Sequence, residues 1–303
     1  MPTSRPTPFF CRELSARARE PLRATASRID VWFLVEVHGR WEREAFRGSR
    51  LPEAVKRHLR SAVAAVPRSR VVLIRQAQRP VGALTLVVAV SRAGRERLRR
   101  FELQDYDDVL EVDLVAAAAD GAPAAGEALF LVCTHGVHDK CCALFGLPAY
   151  QALAEREGAS VWQSSHIGGD RFAANLVCLP HGLYYGRVAP ERAADIAAEY
   201  RAGRIVPAGY RGRSIHPFVV QAAEQFLRDE TGLLGVDALR LDAAARLAPD
   251  QWAVRFAVAD RLHEVEVARL PARYADHITC HAEPGQLVPA YRLLGHRVAA
   301  LPA

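Results

Sequence analysis

The stretch Asp30–Val37, DVWFLVEV, is apolar at almost every position. A half-exposed strand alternates apolar with polar residues. A near-continuous apolar run suits a strand covered on both faces, as in a sheet with helices packed on each side. The neighbouring segments fit such a sheet. Pro52–Val66 places Val55, Leu59, Val63 and Val66 on one side of a helix. Arg70–Ile74 and Ala83–Val90 are β-branched runs separated by Arg79-Pro80, which predicts a strand, a turn and a strand. Asp108–Leu114 adds a further element.

Ala118–Gly126, AADGAPAAG, reads as a linker. Beyond it the order recurs. Ala128–Cys133 is a short buried strand and Ala143–Arg156 a helix, with regular turns expected from Pro148 onward. Val161–Ser164, Phe172–Leu179 and Leu183–Val188 are strands, the last two joined by a Pro180-His181-Gly182 hairpin signal. Pro190–Arg201 and Pro217–Arg228 are helical, and Gly232 lies just beyond the second. Ala238–Leu241, Trp252–Val258 and His263–Leu270 predict an antiparallel meander. The expected fold is α/β: an N-terminal α/β domain over residues 1–122, and a second over 123–303. From about residue 214 the second carries a C-terminal helix and β-meander, an antiparallel α+β appendage.

Composition narrows the function. Arginine supplies all but two of the 40 basic residues, and the net charge is +6. The densest basic run, Arg92, Arg95, Arg97, Arg99 and Arg100, leads at once into Asp105, Asp107 and Asp108. A nucleic-acid face wants clustered bases with stacking aromatics, so this run reads as a solvated helix surface. No run approaches the ~18 apolar residues of a membrane span. The opening residues lack the apolar block of a signal peptide. The expectation is a cytoplasmic protein with no nucleic-acid or membrane partner.

Six cysteines occur and no CxxC motif. In a cytosolic chain of this size they are reduced, buried or metal-bound rather than a disulfide framework. Cys133 ends a predicted strand, and Cys142 opens the next helix. His166 comes just before Gly168-Gly169, a pair that permits tight backbone near a cofactor, and Asp170 closes the turn. Two thiols, an imidazole and a carboxylate on strand ends and loops form the layout of a metal or iron–sulfur site. Cys141, beside Lys140, also fits a reactive thiol or simple packing. His135 and His138 read as surface or supporting residues. Arg171 reads as a counter-charge or a surface salt bridge. Cys178 reads as core, and Cys11 and Cys280 as structural.

The stretches CTHGVHDKCCALFGLPAYQAL and VWQSSHIGGDRFAANLVCLPHGLYYGRV resemble the sucrase/ferredoxin-like family. So, more loosely, do FFCRELSARAREPLRATASRIDVWFLVE and ITCHAEPGQLVPAYR. The resemblance implies thioredoxin-like folding, with a mixed sheet flanked by helices. It also implies a [2Fe–2S] cluster held by two cysteines nine apart and by the histidines of a His-x-Gly-Gly-His turn. Cys133, Cys142 and His166 match, Cys141 falls outside the pattern, and Asp170 stands where the second histidine is expected. Iron accepts carboxylate ligands, and Asp is nearly the right length for that turn; His135, His138, Cys141 and Cys178 are the other donors available in its place.

The expected function is electron transfer with a reductase or acceptor protein. The ligands are Cys133, Cys142, His166 and Asp170, supported by His135, Gly168, Gly169 and Arg171. A carboxylate in place of an imidazole implies a lower potential and weaker coupling of electrons to protons. Three other readings stay open: a cluster-free thiol redox enzyme using Cys141 or Cys142, a degenerate partner-binding protein, and a mononuclear zinc site on the same residues. Nothing singles out the converging carboxylate pair that sugar hydrolysis needs.

Overall fold

A computed structural model describes residues 9–77, 84–119, 121 and 128–300. The expected Arg79-Pro80 turn and most of the 118–126 linker lie outside them. The first half contains α1 (Cys11–Arg17), β1 (Val31–Glu36), α2 (Glu53–Ala65), β2 (Ser69–Arg75), β3 (Leu84–Val90), β4 (Arg97–Leu103) and α3 (Leu114–Ala118). The second contains β5 (Leu129–Cys133), α4 (Lys140–Glu157), β6 (Val161–Ser164), β7 (Leu176–Leu179), β8 (Leu183–Tyr185), α5 (Pro190–Arg201) and β9 (Tyr210–Arg213). Then come α6 (Phe218–Thr231), β10 (Arg240–Ala248), β11 (Gln251–Val258), β12 (Arg261–Asp276) and β13 (Gln286–Ala300).

One nine-stranded mixed sheet runs β4-β3-β1-β2-β6-β5-β7-β8-β9. In the first half β1 and β2 are parallel, β3 is antiparallel to β1, and β4 antiparallel to β3. The second half repeats this with β5, β6, β7 and β8. Each half thus has the same strand order, β4-β3-β1-β2 in the first and β8-β7-β5-β6 in the second. The halves join where β2 pairs antiparallel with β6, Ile74 opposite Ser164 and Arg75 opposite Gln163.

The apolar run at β1 explains the layering. Alternate side chains leave opposite faces of a strand. Val31, Phe33 and Val35 meet Val55 and Leu59 of α2. Trp32 and Leu34 face the other way, into a core that also holds Leu131, Trp162, Val177 and Tyr184 of the second half. On β5, Phe130 and Val132 pack with Leu153 of α4 and Ile196 of α5. Leu129, Leu131 and Cys133 face the shared core. A separate antiparallel sheet, β10-β11-β12-β13, lies under α6, with Val220, Ala223 and Leu227 against Val254, Phe256 and Val265.

Three expectations change. The basic run is not a helix surface: Arg97, Arg99 and Arg100 lie on the edge strand β4. Arg99 and Arg100 are exposed there, where charge discourages edge-to-edge pairing. The helix after β5 begins at Lys140, not near Pro148, because Asp139 caps it by accepting from the Cys141 N–H at 2.8 Å. The meander gains a fourth strand, β13. Among the described residues, no helix is long and apolar enough to cross a membrane.

Candidate metal centre

Parallel strands leave a crevice at their carboxyl ends, where the chain departs on loops. β5 and β6 are such neighbours, with Cys133 registered beside Ser164. From β5 the chain turns through Thr134–Asp139 into α4, which carries Cys142 in its first turn. The helix lies close against the strand end. A Cβ on Gly146 would stand 2.0 Å from the Cys133 carbonyl oxygen, so only glycine allows this approach. From β6 the chain runs through His166 to a short 3-10 turn at Asp170–Phe172.

Asp170 is the hub. Its Oδ1 accepts from the Cys142 thiol at 3.1 Å and lies 2.9 Å from His166 Nδ1. Its Oδ2 lies 3.6 Å from His138 Nε2. The His138 and His166 rings are 3.9 Å apart, centre to centre. Asp170 therefore brings Cys142, His166 and His138 together, and Cys133 neighbours Cys142. Both thiols are buried, whereas the His138 and His166 side chains are 23% and 24% exposed. The imidazoles form the solvent edge.

The charges are coupled. The hydrogen bond from Cys142 lowers the Cys133 thiol and outweighs burial. Giving that bond, together with burial, pushes Cys142 well up. Burial alone would lower His166 and raise Asp170, but their mutual hydrogen bond and opposite charges reverse both shifts.

The Gly168-Gly169 pair serves a neighbour that the motif does not contain. Gly169 has φ +87°, and a Cβ there would lie 2.4 Å from the Arg211 guanidinium. Arg211 is 1% exposed. It donates to Gly168 O at 3.0 Å and to Asn175 Oδ1 at 2.7 Å. Burial lowers its pKa to about 10, so it remains a cation at neutral pH. Arg211, rather than Arg171, is the buried positive charge behind the turn. Arg171 pairs with Glu20 at 2.8 Å.

The first half walls the site. His135 presents Nε2 to the Glu42 carbonyl at 2.9 Å and its ring edge-on to Trp41. Its buried Nδ1 has no hydrogen-bond partner among the described residues, and burial lowers its pKa to about 4. His138 Nδ1 donates to the Arg43 carbonyl at 3.3 Å, which leaves Nε2 free to accept or ligate. Arg70 donates to His166 O at 2.9 Å, and Ser27 to Ile167 O at 3.1 Å. Cys178 packs in the core of the second half, and Cys141 points away from this centre. Of the additions, only His138 had a signal in the sequence, its place in the loop just before Cys142. Arg211 had none.

Cys133, Cys142, His166 and Asp170 would suit a two-iron cluster, which takes soft thiolate and harder nitrogen and oxygen donors. Ligands bind deprotonated, and the protons shared here among Cys142, Asp170 and His166 are the ones that metal would displace. No curated protein and no solved structure matches the chain. Residues 22–212, well over half the chain, match the family described as sucrase/ferredoxin-like. With the cysteine pair, the His166–Asp170 turn and the doubled strand order in place, the chain belongs to the sucrase/ferredoxin-like family.

Proposed function

We propose that this protein transfers electrons through a [2Fe–2S] cluster held by Cys133, Cys142, His166 and Asp170. The observation that supports the reading is Asp170 in contact with both Cys142 and His166 at the carboxyl ends of β5 and β6, with Cys133 ending β5 beside them and the imidazoles at the surface. When bound, the cluster supplies a one-electron couple. The protein's part is to bury the thiols, hold Arg211 behind the turn, and leave the His166 edge open to a redox partner protein. A second reading makes His138 the fourth ligand, favoured by its free Nε2 beside Asp170.

Anaerobically purified protein is expected to be red-brown, with iron and acid-labile sulfide in equal amounts. A colourless, iron-free chain after reconstitution overturns the proposal. Asp170→Ala and His138→Ala separate the two readings, because only loss of the true ligand abolishes the visible spectrum.

A further inference from the structure

The paired cysteines of α4 diverge. Successive side chains on a helix point about 100° apart, and Cys141 turns to a different group from that of Cys142. It meets Cys11, the first residue of α1, and Cys280, in the loop between β12 and β13. The sulfur separations are 3.6 Å for Cys11–Cys141, 3.4 Å for Cys141–Cys280 and 3.6 Å for Cys11–Cys280. Asp139 completes the group, its Oδ2 lying 3.7 Å from Cys11 Sγ. One ligand atom from each of the four lies within 4.8 Å of every other.

We propose that Cys11, Asp139, Cys141 and Cys280 form a second metal site, a closed tetrahedral zinc site that is structural. Geometry chooses the occupant. A zinc–sulfur bond of about 2.3 Å gives a tetrahedral sulfur–sulfur edge of about 3.8 Å, and a sulfur–oxygen edge of about 3.6 Å. The observed edges need only small adjustments. A four-iron cluster would hold its thiolates around a cube of atoms, not in mutual van der Waals contact. A disulfide joins two sulfurs, and here three lie at nearly equal distances, so no pair is singled out.

Supporting contacts are already in place. The Cys11 N–H donates to Cys280 Sγ at 3.4 Å, and the Cys280 N–H donates to Asp139 Oδ2 at 2.6 Å. Such N–H groups orient ligands and spread their negative charge. The thiols of Cys11 and Cys141 are fully buried and Cys280 is partly exposed, which gives an ion a way in. Binding releases the thiol protons to solvent. The ligands come from segments up to 269 residues apart. Zinc would therefore pin the N-terminal helix and the β12–β13 loop to the start of α4. Cys11 and Cys280 lie outside residues 22–212.

The test is elemental and independent of the two-iron reading. The full chain from zinc-supplemented cells is expected to hold about one zinc, with three sulfur neighbours at about 2.3 Å by X-ray absorption. Cys280→Ser should weaken zinc retention against a chelator by more than the 10–100-fold that loss of an outer partner costs, and leave any visible chromophore intact. Cys133→Ser should do the reverse. The inference is overturned by a wild-type chain that takes up no zinc under reducing conditions, by zinc bound equally well in Cys11→Ser and Cys280→Ser, or by a disulfide among the three in anaerobic protein. Should either variant fail to fold, the wild-type zinc content and absorption spectrum still decide.

Discussion

At the scale of single residues, Asp170 decides most. It accepts from Cys142 and pairs with His166, so it touches both kinds of donor. Asp170→His should keep the cluster and raise its midpoint potential, because a neutral imidazole replaces an anion. It should also steepen the pH dependence. One proton per electron gives about 59 mV per pH unit. The wild type, with one imidazole ligand fewer, should fall short of the variant's slope; redox titration at several pH values measures both. A wild-type slope equal to the variant's would remove Asp170 from the ligand set. Gly169→Ala places a methyl against Arg211 at positive φ. It should destabilise the fold by more than about 1 kcal/mol, read by urea denaturation, and lower cluster content. Cys133, Cys142 and His166 can be singled out in the sequence because they match the family's motif. The Cys11–Cys141–Cys280 group was not, because its members meet only through the tertiary fold. His138 lay between these cases: its position was visible, but not which way its ring turns.

At the scale of elements, strands buried on both faces were readable and edge strands were not. β5 is apolar throughout and β1 is apolar but for Glu36, and both are buried at every position; a run of that kind admits few other placements. β4 mixes four charged residues with its apolar ones, so its charge pattern spoke louder than its alternation. β13 carries Pro289 and Gly295 and is exposed along much of its length, which blurs the period of two. The start of α4 was hidden because Pro148 is a stronger sequence signal than an aspartate cap, though the cap determines where the helix begins. Phe256 is fully buried between α6 and the second sheet. Phe256→Ala should cost about 3–5 kcal/mol, measured by urea denaturation. The spectrum of the Cys133 centre should survive at low denaturant, since α6 and the four-stranded sheet hold none of its ligands.

At the scale of the whole molecule, stability should fall in mild acid. Burial lowers His216 to about 4 from an ordinary 6.5, and it is 7% exposed. A depressed imidazole means that the unfolded chain binds the proton first. Its contribution is therefore complete above about pH 6.5 and drains away as pH falls toward about 4. A shift of that size corresponds to about 3 kcal/mol. Thermal melts between pH 7 and 4 should show the decline, and His216→Gln should flatten it. An unchanged slope in that variant would assign the acid sensitivity elsewhere.

The doubled strand order has a consequence for how the chain divides its labour. Both halves carry the same strand–helix–strand frame, yet β1 runs out into Val37 and His38 where β5 ends in Cys133. The first half therefore carries no thiol at the matching strand end. Its segment at Glu42 and Arg43 instead lends backbone carbonyls to His135 and His138 of its twin, and Arg70 steadies His166. The first half thus acts as a casing for the histidines of the second. Changes in the first half should then surface at the centre in the second.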